Sequence, residues 1–243
     1  KEWGIYRMNI YNLKQKVKNI TLLSNVYYTV DNQISKLKHK KKVKNFRKNG
    51  CDAAKKIVQA MNETNFQFFI TYGTLLGIVR DNKFMQHDDD LDFGILESDN
   101  FSWSEIDKIM NKYNITLLHE FIYKDKVVER TYVTQSNISV DFFLYNKILD
   151  KQEVYFFLRK KGEVYESPNI FTAWKMIPPT IEKINYKNVY NCNFPIPSNY
   201  EDILQYAYGP NWKIPDPTWV DDGYNYIECE EYGYLNICNQ KEK

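Results

Sequence analysis

The residues best equipped for chemistry stand together in His87-Asp88-Asp89-Asp90-Leu91-Asp92-Phe93-Gly94, where four carboxylates fall within five positions. Like charges this close repel one another, so a fold keeps them together only with compensation. On an extended strand, residues two apart share a face. Asp88, Asp90 and Asp92 would then point one way, and Leu91, Phe93 and Ile95 would fill a core on the other. A hard divalent cation is the natural partner for converging carboxylate oxygens. An ordinary acidic surface turn would not be woven into the apolar alternation Asp-Leu-Asp-Phe-Gly-Ile. A calcium loop of the EF-hand type also fails, because Phe93 stands where the turn glycine belongs and Asp99 where the final Glu belongs.

A second acidic strand is expected over Ile138-Ser139-Val140-Asp141-Phe142-Phe143-Leu144. A lone carboxylate in such an apolar run is costly unless it is ligated or hydrogen-bonded. If the two strands lie side by side, Asp141 joins Asp90 and Asp92 around one or two Mg²⁺ or Mn²⁺ ions. That constellation, with a phosphorylated donor, has the logic of metal-assisted phosphoryl transfer. Gly73-Thr74 opens a strand-to-helix turn where backbone N–H groups could approach a phosphate. Arg80 and Lys83, between this turn and the acidic run, could neutralise phosphate oxygens, with surface solubility as the plainer role. His87 reads more readily as a structural residue than a catalytic one, although it could ligate metal or touch phosphate.

Several elements must position these groups. Ala54, Ile57, Val58 and Met61 mark the buried face of a helix over about 48–64, leading into a strand at Phe66–Ile70. A short helix is expected over Thr71–Arg80 and a strand over Leu91–Leu96. Ser102 begins a helix cap before Ile106–Tyr113. Three β-rich stretches at about 115–123, 126–134 and 138–145 suit a meander. Ser198 or Asn199 can cap a helix over Tyr200–Tyr208 that Gly209-Pro210 ends. The tail, 211–243, lacks periodicity and is expected to wrap the surface. This pattern is α+β with a mixed sheet.

Residues 1–47 read as a separate N-terminal helical extension, and 48–243 as the catalytic domain. Ile10, Leu13, Val17 and Ile20, then Val30, Ile34 and Leu37, follow helical spacing, so this extension is expected to pack on the main body or on another subunit. Its end is basic: Lys36–Lys48 carries eight Lys/Arg in thirteen residues. Such a run is usually a solvated helix face, and otherwise meets something anionic, such as a nucleotide, a membrane surface or a phosphorylated glycan.

Composition bounds the rest. The 243 residues carry 33 Lys+Arg against 31 Asp+Glu, a balance that argues against a uniformly basic nucleic-acid binder. No apolar run approaches the ~20 residues that a spanning helix needs. Cys51, Cys192, Cys229 and Cys238 form no CxxC pair, which disfavours a structural zinc site. The 20 Tyr, 14 Phe and 5 Trp are attributed mostly to an AT-rich coding bias. The chain starts at Lys1 with neither an initiator Met nor a signal sequence, so an excerpt of a longer protein is expected.

Taken in order, these motifs resemble the LicD family, which includes the fukutin-type proteins. The resemblance rests on Gly73-Thr74-Leu75-Leu76-Gly77-Ile78-Val79-Arg80, on Phe84-Met85 followed by the Asp run, and on Val140-Asp141-Phe142-Phe143. It continues through Phe194-Pro195-Ile196-Pro197 to Tyr208-Gly209-Pro210, covering about residues 48–217. It implies a nucleotidyltransferase-like mixed β-sheet with flanking helices. It also implies transfer of a phospho-alcohol unit, such as phosphocholine or ribitol phosphate, from a CDP-activated donor to a hydroxyl of a cell-surface or capsular glycan. By motif, Asp90 and Asp92 would bind the cation. Asp141 would be a third ligand or the base for the acceptor hydroxyl, and Gly73 and Thr74 would contact donor phosphates. Many members have Pro-Trp before the acidic run where this chain has Gln86-His87.

The leading expectation is thus a Mg²⁺- or Mn²⁺-dependent transferase whose partners are a CDP-activated donor and a glycan acceptor, with no nucleic acid. It is placed in a bacterial cytoplasm, membrane-associated through 36–48, ahead of a Golgi lumen. Two rivals are a nucleotidyltransferase acting on RNA or a small molecule, and a non-catalytic docking module of a larger enzyme. Trp174, Trp212 and Trp219 are expected in core packing before sugar or base stacking.

Overall fold

The computed structural model describes residues 21–160 and 162–239, with backbone alone for 21–32. Ile10, Leu13, Val17 and Ile20 therefore lie outside the described residues.

Helix α1 (Thr21–Met61) runs without interruption across the expected boundary at 47/48. Two physical regimes share this one helix. Residues 33–42 are exposed on every side, whereas Phe46, Ala53, Ala54, Ile57, Val58, Ala60 and Met61 are buried in the main core. The 3-4 spacing predicted for 54–61 is this buried face. After α1 come β1 (Phe68–Ile70), the five-residue helix α2 (Tyr72–Leu76) and a π-helical turn over Gly77–Asp81. Strand β2 (Asp90–Leu96) and helix α3 (Trp103–Lys112) follow. Next are β3 (Thr116–Tyr123), β4 (Lys126–Val133), β5 (Ser139–Ile148), β6 (Lys151–Leu158) and β7 (Ile170–Met176). The hairpin β8 (Ile184–Val189) and β9 (Cys192–Pro197), helix α4 (Tyr200–Tyr208) and β10 (Ile227–Ile237) complete the order.

The protein is α+β. Eight strands form one sheet in the order β1-β2-β5-β4-β3-β10-β7-β6, and β6 returns to pair with the end of β5. Strands β5, β4, β3, β10, β7 and β6 thereby close a six-strand barrel, which leaves β1 and β2 as a flap on the first half of β5. The expected meander is present as β3–β4–β5, antiparallel throughout. Strand β2 joins it in parallel, through the long crossover that parallel pairing requires.

The main core lies where α1, α2 and α3 cover the flap, around Phe69, Phe93, Phe142 and Phe194, all 0% exposed. Fully burying one such ring contributes about 1.5–3 kcal/mol. Gly94 makes this packing feasible: a Cβ there would stand 2.3 Å from the Phe69 ring and 2.8 Å from that of Tyr145. A smaller cluster inside the barrel joins Tyr123, Val128, Phe157 and Ala173, with Phe121 stacked on Phe157 at 4.5 Å.

The tail differs from expectation. Residues 227–237 form a strand between β3 and β7, and without it the barrel would be open. Of the three tryptophans considered, Trp212 is buried, Trp174 is half-buried with an unpartnered Nε1, and Trp219 is exposed against Tyr208 at 5.0 Å. The four cysteines are free, Cys229 and Cys238 included. Among the described residues no helix is long and apolar enough to cross a membrane.

Candidate metal centre and active site

Strand β2 alternates as the sequence suggests: Leu91, Phe93 and Ile95 go to the core, while Asp90 and Asp92 stay half-buried on the other face. Its parallel register with β5 sets Asp92 opposite Asp141 and Asp90 opposite Ser139. One carboxylate oxygen from each of Asp90, Asp92 and Asp141 lies within 4.8 Å of the others. The neighbouring turn fixes this end of β2. The Thr71 N–H donates to the Asp92 carbonyl at 3.1 Å, and the Asp92 N–H donates to Thr74 Oγ1 at 2.9 Å. On the other side Thr131 Oγ1 donates to Asp141 Oδ1 at 2.5 Å.

Asp88 precedes β2, which begins at Asp90, instead of lying on the strand; it is buried and accepts the Met85 N–H at 2.8 Å, so it ties down the loop that leads into β2. Gly77 sits under that loop. A Cβ there would be 2.7 Å from the Lys83 carbonyl oxygen, so a side chain would push the acidic segment away from α2.

Burial is the first cause of the electrostatic character of the cluster. It raises the Asp92 carboxyl well above the usual range, with Asp90, Asp141 and Asp88 adding repulsion. Asp90 is raised by burial and then by Asp89. Burial likewise lifts Asp88 and Asp141 each to about 7, Asp90 and Asp89 adding to both. Among the described residues no Lys, Arg or His forms an ion pair with Asp90, Asp92 or Asp141. Three desolvated carboxylates without a cationic partner destabilise the fold when ionised. Their donor set, hard oxygens converging on one point, fits Mg²⁺ or Mn²⁺.

The other residues singled out by sequence separate into groups. Gly73 borders the cluster: a Cβ there would stand 3.2 Å from Met85 Cε and 3.8 Å from both Asp88 Oδ1 and Asp92 Oδ2, so the backbone packs close against the carboxylates. Thr74 is 2% exposed and its hydroxyl accepts the Asp92 amide. Arg80 forks onto Asp81 at 2.9 and 3.1 Å, though its charge still lowers Asp88. Lys83 and His87 are exposed, and their side chains have no hydrogen-bond or ion-pair partner among the described residues.

Sequence reasoning missed several neighbours. Glu129 on β4 is 8% exposed, forms no hydrogen bond or ion pair among the described residues, and is raised well above the usual range by burial and then by Asp141. The same signal that flagged Asp141, an acid in an apolar strand, was present there. Tyr72 adopts φ +44°, a strained left-handed conformation for an aromatic residue, just where β1 turns into α2. Its hydroxyl is buried without a hydrogen bond of ordinary geometry, and burial followed by Tyr145 and Asp92 raises its pKa. Tyr208 is raised by burial and then by Asp92 and Asp88, which places the end of α4 beside the cluster. Helix α1 also reaches the acidic segment. Arg47 donates to the Gln86 carbonyl at 3.1 and 2.7 Å, while His39 and Lys42 approach Asp89 Oδ2 at 3.2 and 3.7 Å.

Fold and site together define an α+β protein with a carboxylate centre at the edge of a partly closed sheet. Residues 65–178 match the model of the LicD/FKTN/FKRP nucleotidyltransferase domain. This match supports a LicD-family assignment for that segment. It is also similar to an uncharacterized protein of Rickettsia typhi, 29% identical over 93 residues. That similarity covers 38% of this chain and 27% of the length of the curated relative.

Proposed function

We propose that the protein is a divalent-metal-dependent transferase that moves a phospho-alcohol unit from a CDP-activated donor to a hydroxyl of a cell-surface or capsular glycan. The observation that carries this reading is the meeting of Asp90, Asp92 and Asp141 within the segment that matches the LicD-family model, with no cation paired to them among the described residues. The family match supports a transferase acting on glycans, and the nucleotidyltransferase-like description suits the β2–β5 flap that carries all three acids.

Asp90, Asp92 and Asp141 would hold the Mg²⁺ or Mn²⁺, whose chemistry there is to neutralise negative charge on the donor phosphates and the leaving cytidine monophosphate. Thr74 holds the Asp92 backbone N–H and Thr131 holds the Asp141 carboxylate, so both acids are positioned before a ligand arrives. Gly73, whose Cβ position would lie 3.8 Å from Asp92 Oδ2, would bring backbone close to a donor phosphate at the cluster. Asp141 would be the third ligand or, alternatively, the base that accepts the proton of the attacking hydroxyl. Trp219, exposed and packed against the half-buried Tyr208 at 5.0 Å, offers aromatic surface for a sugar or a cytosine ring.

Thermal shift with Mn²⁺ and a panel of CDP-choline, CDP-ribitol and CDP-glycerol tests this. At least one compound should stabilise the wild type more than Asp90→Asn. Equal response of the two proteins to every compound would reject the assignment.

A further inference from the structure

Resting on the phosphoryl-transfer reading above, we propose that helix α1, outside the family-matched segment, completes the site by presenting Lys42 as the cation that binds a phosphate of a diphosphate ligand at the Asp90–Asp92–Asp141 cluster. The helix is fixed to both loops that flank the trio. Arg47 grips the Gln86 carbonyl before β2, and Asn45 Nδ2 donates to the Ser136 and Asn137 carbonyls at 2.8 and 3.2 Å before β5. Phe46 packs edge-on against Phe84 at 5.2 Å. One turn earlier, His39 and Lys42 share a face at spacing i, i+3 and meet Asp89, the residue next to Asp90.

Lys42 differs from the other lysines of the 36–48 run. It alone among them pairs with a carboxylate among the described residues. Its ammonium lies 3.7 Å from Asp89, the residue next to Asp90, and its charge is felt beyond that partner, lowering both Asp90 and Asp141. At 3.7 Å and 59% exposed, its contact with Asp89 is loose and solvent-screened, and such a pair stabilises little. A phosphate oxygen beside the cluster would compete well for it, while His39 at 3.2 Å keeps Asp89 partnered. Arg80 is a poorer candidate, because its side chain is 14% exposed and already forked onto Asp81.

Inorganic pyrophosphate with Mn²⁺ is the probe, measured by calorimetry on the whole chain. Lys42→Gln should weaken pyrophosphate binding about tenfold, the loss of one charge-assisted contact. Lys42→Arg should restore it, and Lys36→Gln should leave it unchanged. Melting temperature and affinity for Mn²⁺ alone should stay near wild type in all three. Pyrophosphate binding by Lys42→Gln at wild-type strength, or its absence in the wild type, would overturn the inference. If pyrophosphate binding depends on Lys42 but no CDP compound binds, Lys42 keeps its role and the transferase reading falls. If CDP compounds bind wild type and Lys42→Gln alike, the transferase reading survives and this inference fails.

Discussion

Three glutamates of the barrel, Glu120, Glu129 and Glu153, are each 8% exposed, yet they live in different chemistry. Glu120 meets Arg130 at 2.7 Å and accepts from Asn236 at 2.9 Å. Glu153 meets Lys175 at 2.6 Å and accepts from Tyr155 at 2.8 Å. Among the described residues Glu129 has no such partner, and Asp141, whose charge raises it further, lacks a paired cation as do Asp90 and Asp92. Burial alone therefore does not mark a site here. The fold supplies cations to buried carboxylates in one region and withholds them in another, and an ion from solution suits the second.

Breaking the paired region should cost the most stability. Arg130 bridges Glu120 and Asp107 while stacking on Trp103, so Arg130→Met would strand two carboxylates. A loss of about 3–5 kcal/mol is expected on denaturant unfolding, with Mn²⁺ affinity of the folded protein unchanged. In the unpaired region the expected outcome is reversed. Asp92→Asn should weaken Mn²⁺ binding about a hundredfold or more by calorimetry, while the metal-free protein melts no lower than wild type. Thr74→Val should have an intermediate effect, since it leaves the Asp92 N–H without its acceptor. About 1–3 kcal/mol of stability and roughly tenfold in Mn²⁺ affinity should be lost, and Thr74→Ser should recover both.

The smallest expected effect is in pH dependence. Asp141 has a folded-state pKa of about 7, above its unfolded value, so the folded protein holds a proton that the unfolded chain releases. Stability therefore falls as pH rises from about 4 to about 7. In EDTA the melting temperature of the wild type relative to Asp141→Asn should drop by about 3 °C or more across that window. Added Mn²⁺ should shrink the drop, because it binds the ionised form. A flat difference would place Asp141 outside the strained group.

Much of the flap was legible. The alternation of 90–96 gave a strand with its acids on one face, and 138–145 gave its partner, because both strands bury one face and leave the other to chemistry. Helix α4 over Tyr200–Tyr208 was equally clear from its cap and Gly209-Pro210. Strand β10 was not. Its residues are mostly exposed, so no hydrophobic period marks them, and backbone pairing with β3 and β7 defines the strand. Nor did the basic run at 36–48 reveal which lysine turns toward the acids. That depends on how Arg47 and Asn45 seat the helix on loops far along the chain.

By itself the sequence determined which residues carry charge, which faces of β2 and β5 are apolar, and where the Gly73-Thr74 turn falls. Those properties are local, since they follow from spacings of two or three to four residues. The tertiary structure decided the rest. It set Asp92 opposite Asp141, gave Glu120 and Glu153 their cations while leaving Glu129 without one among the described residues, and brought His39 and Lys42 to Asp89. These pairings join positions about ten to fifty residues apart, so they depend on strand register and barrel closure, which local spacing does not encode.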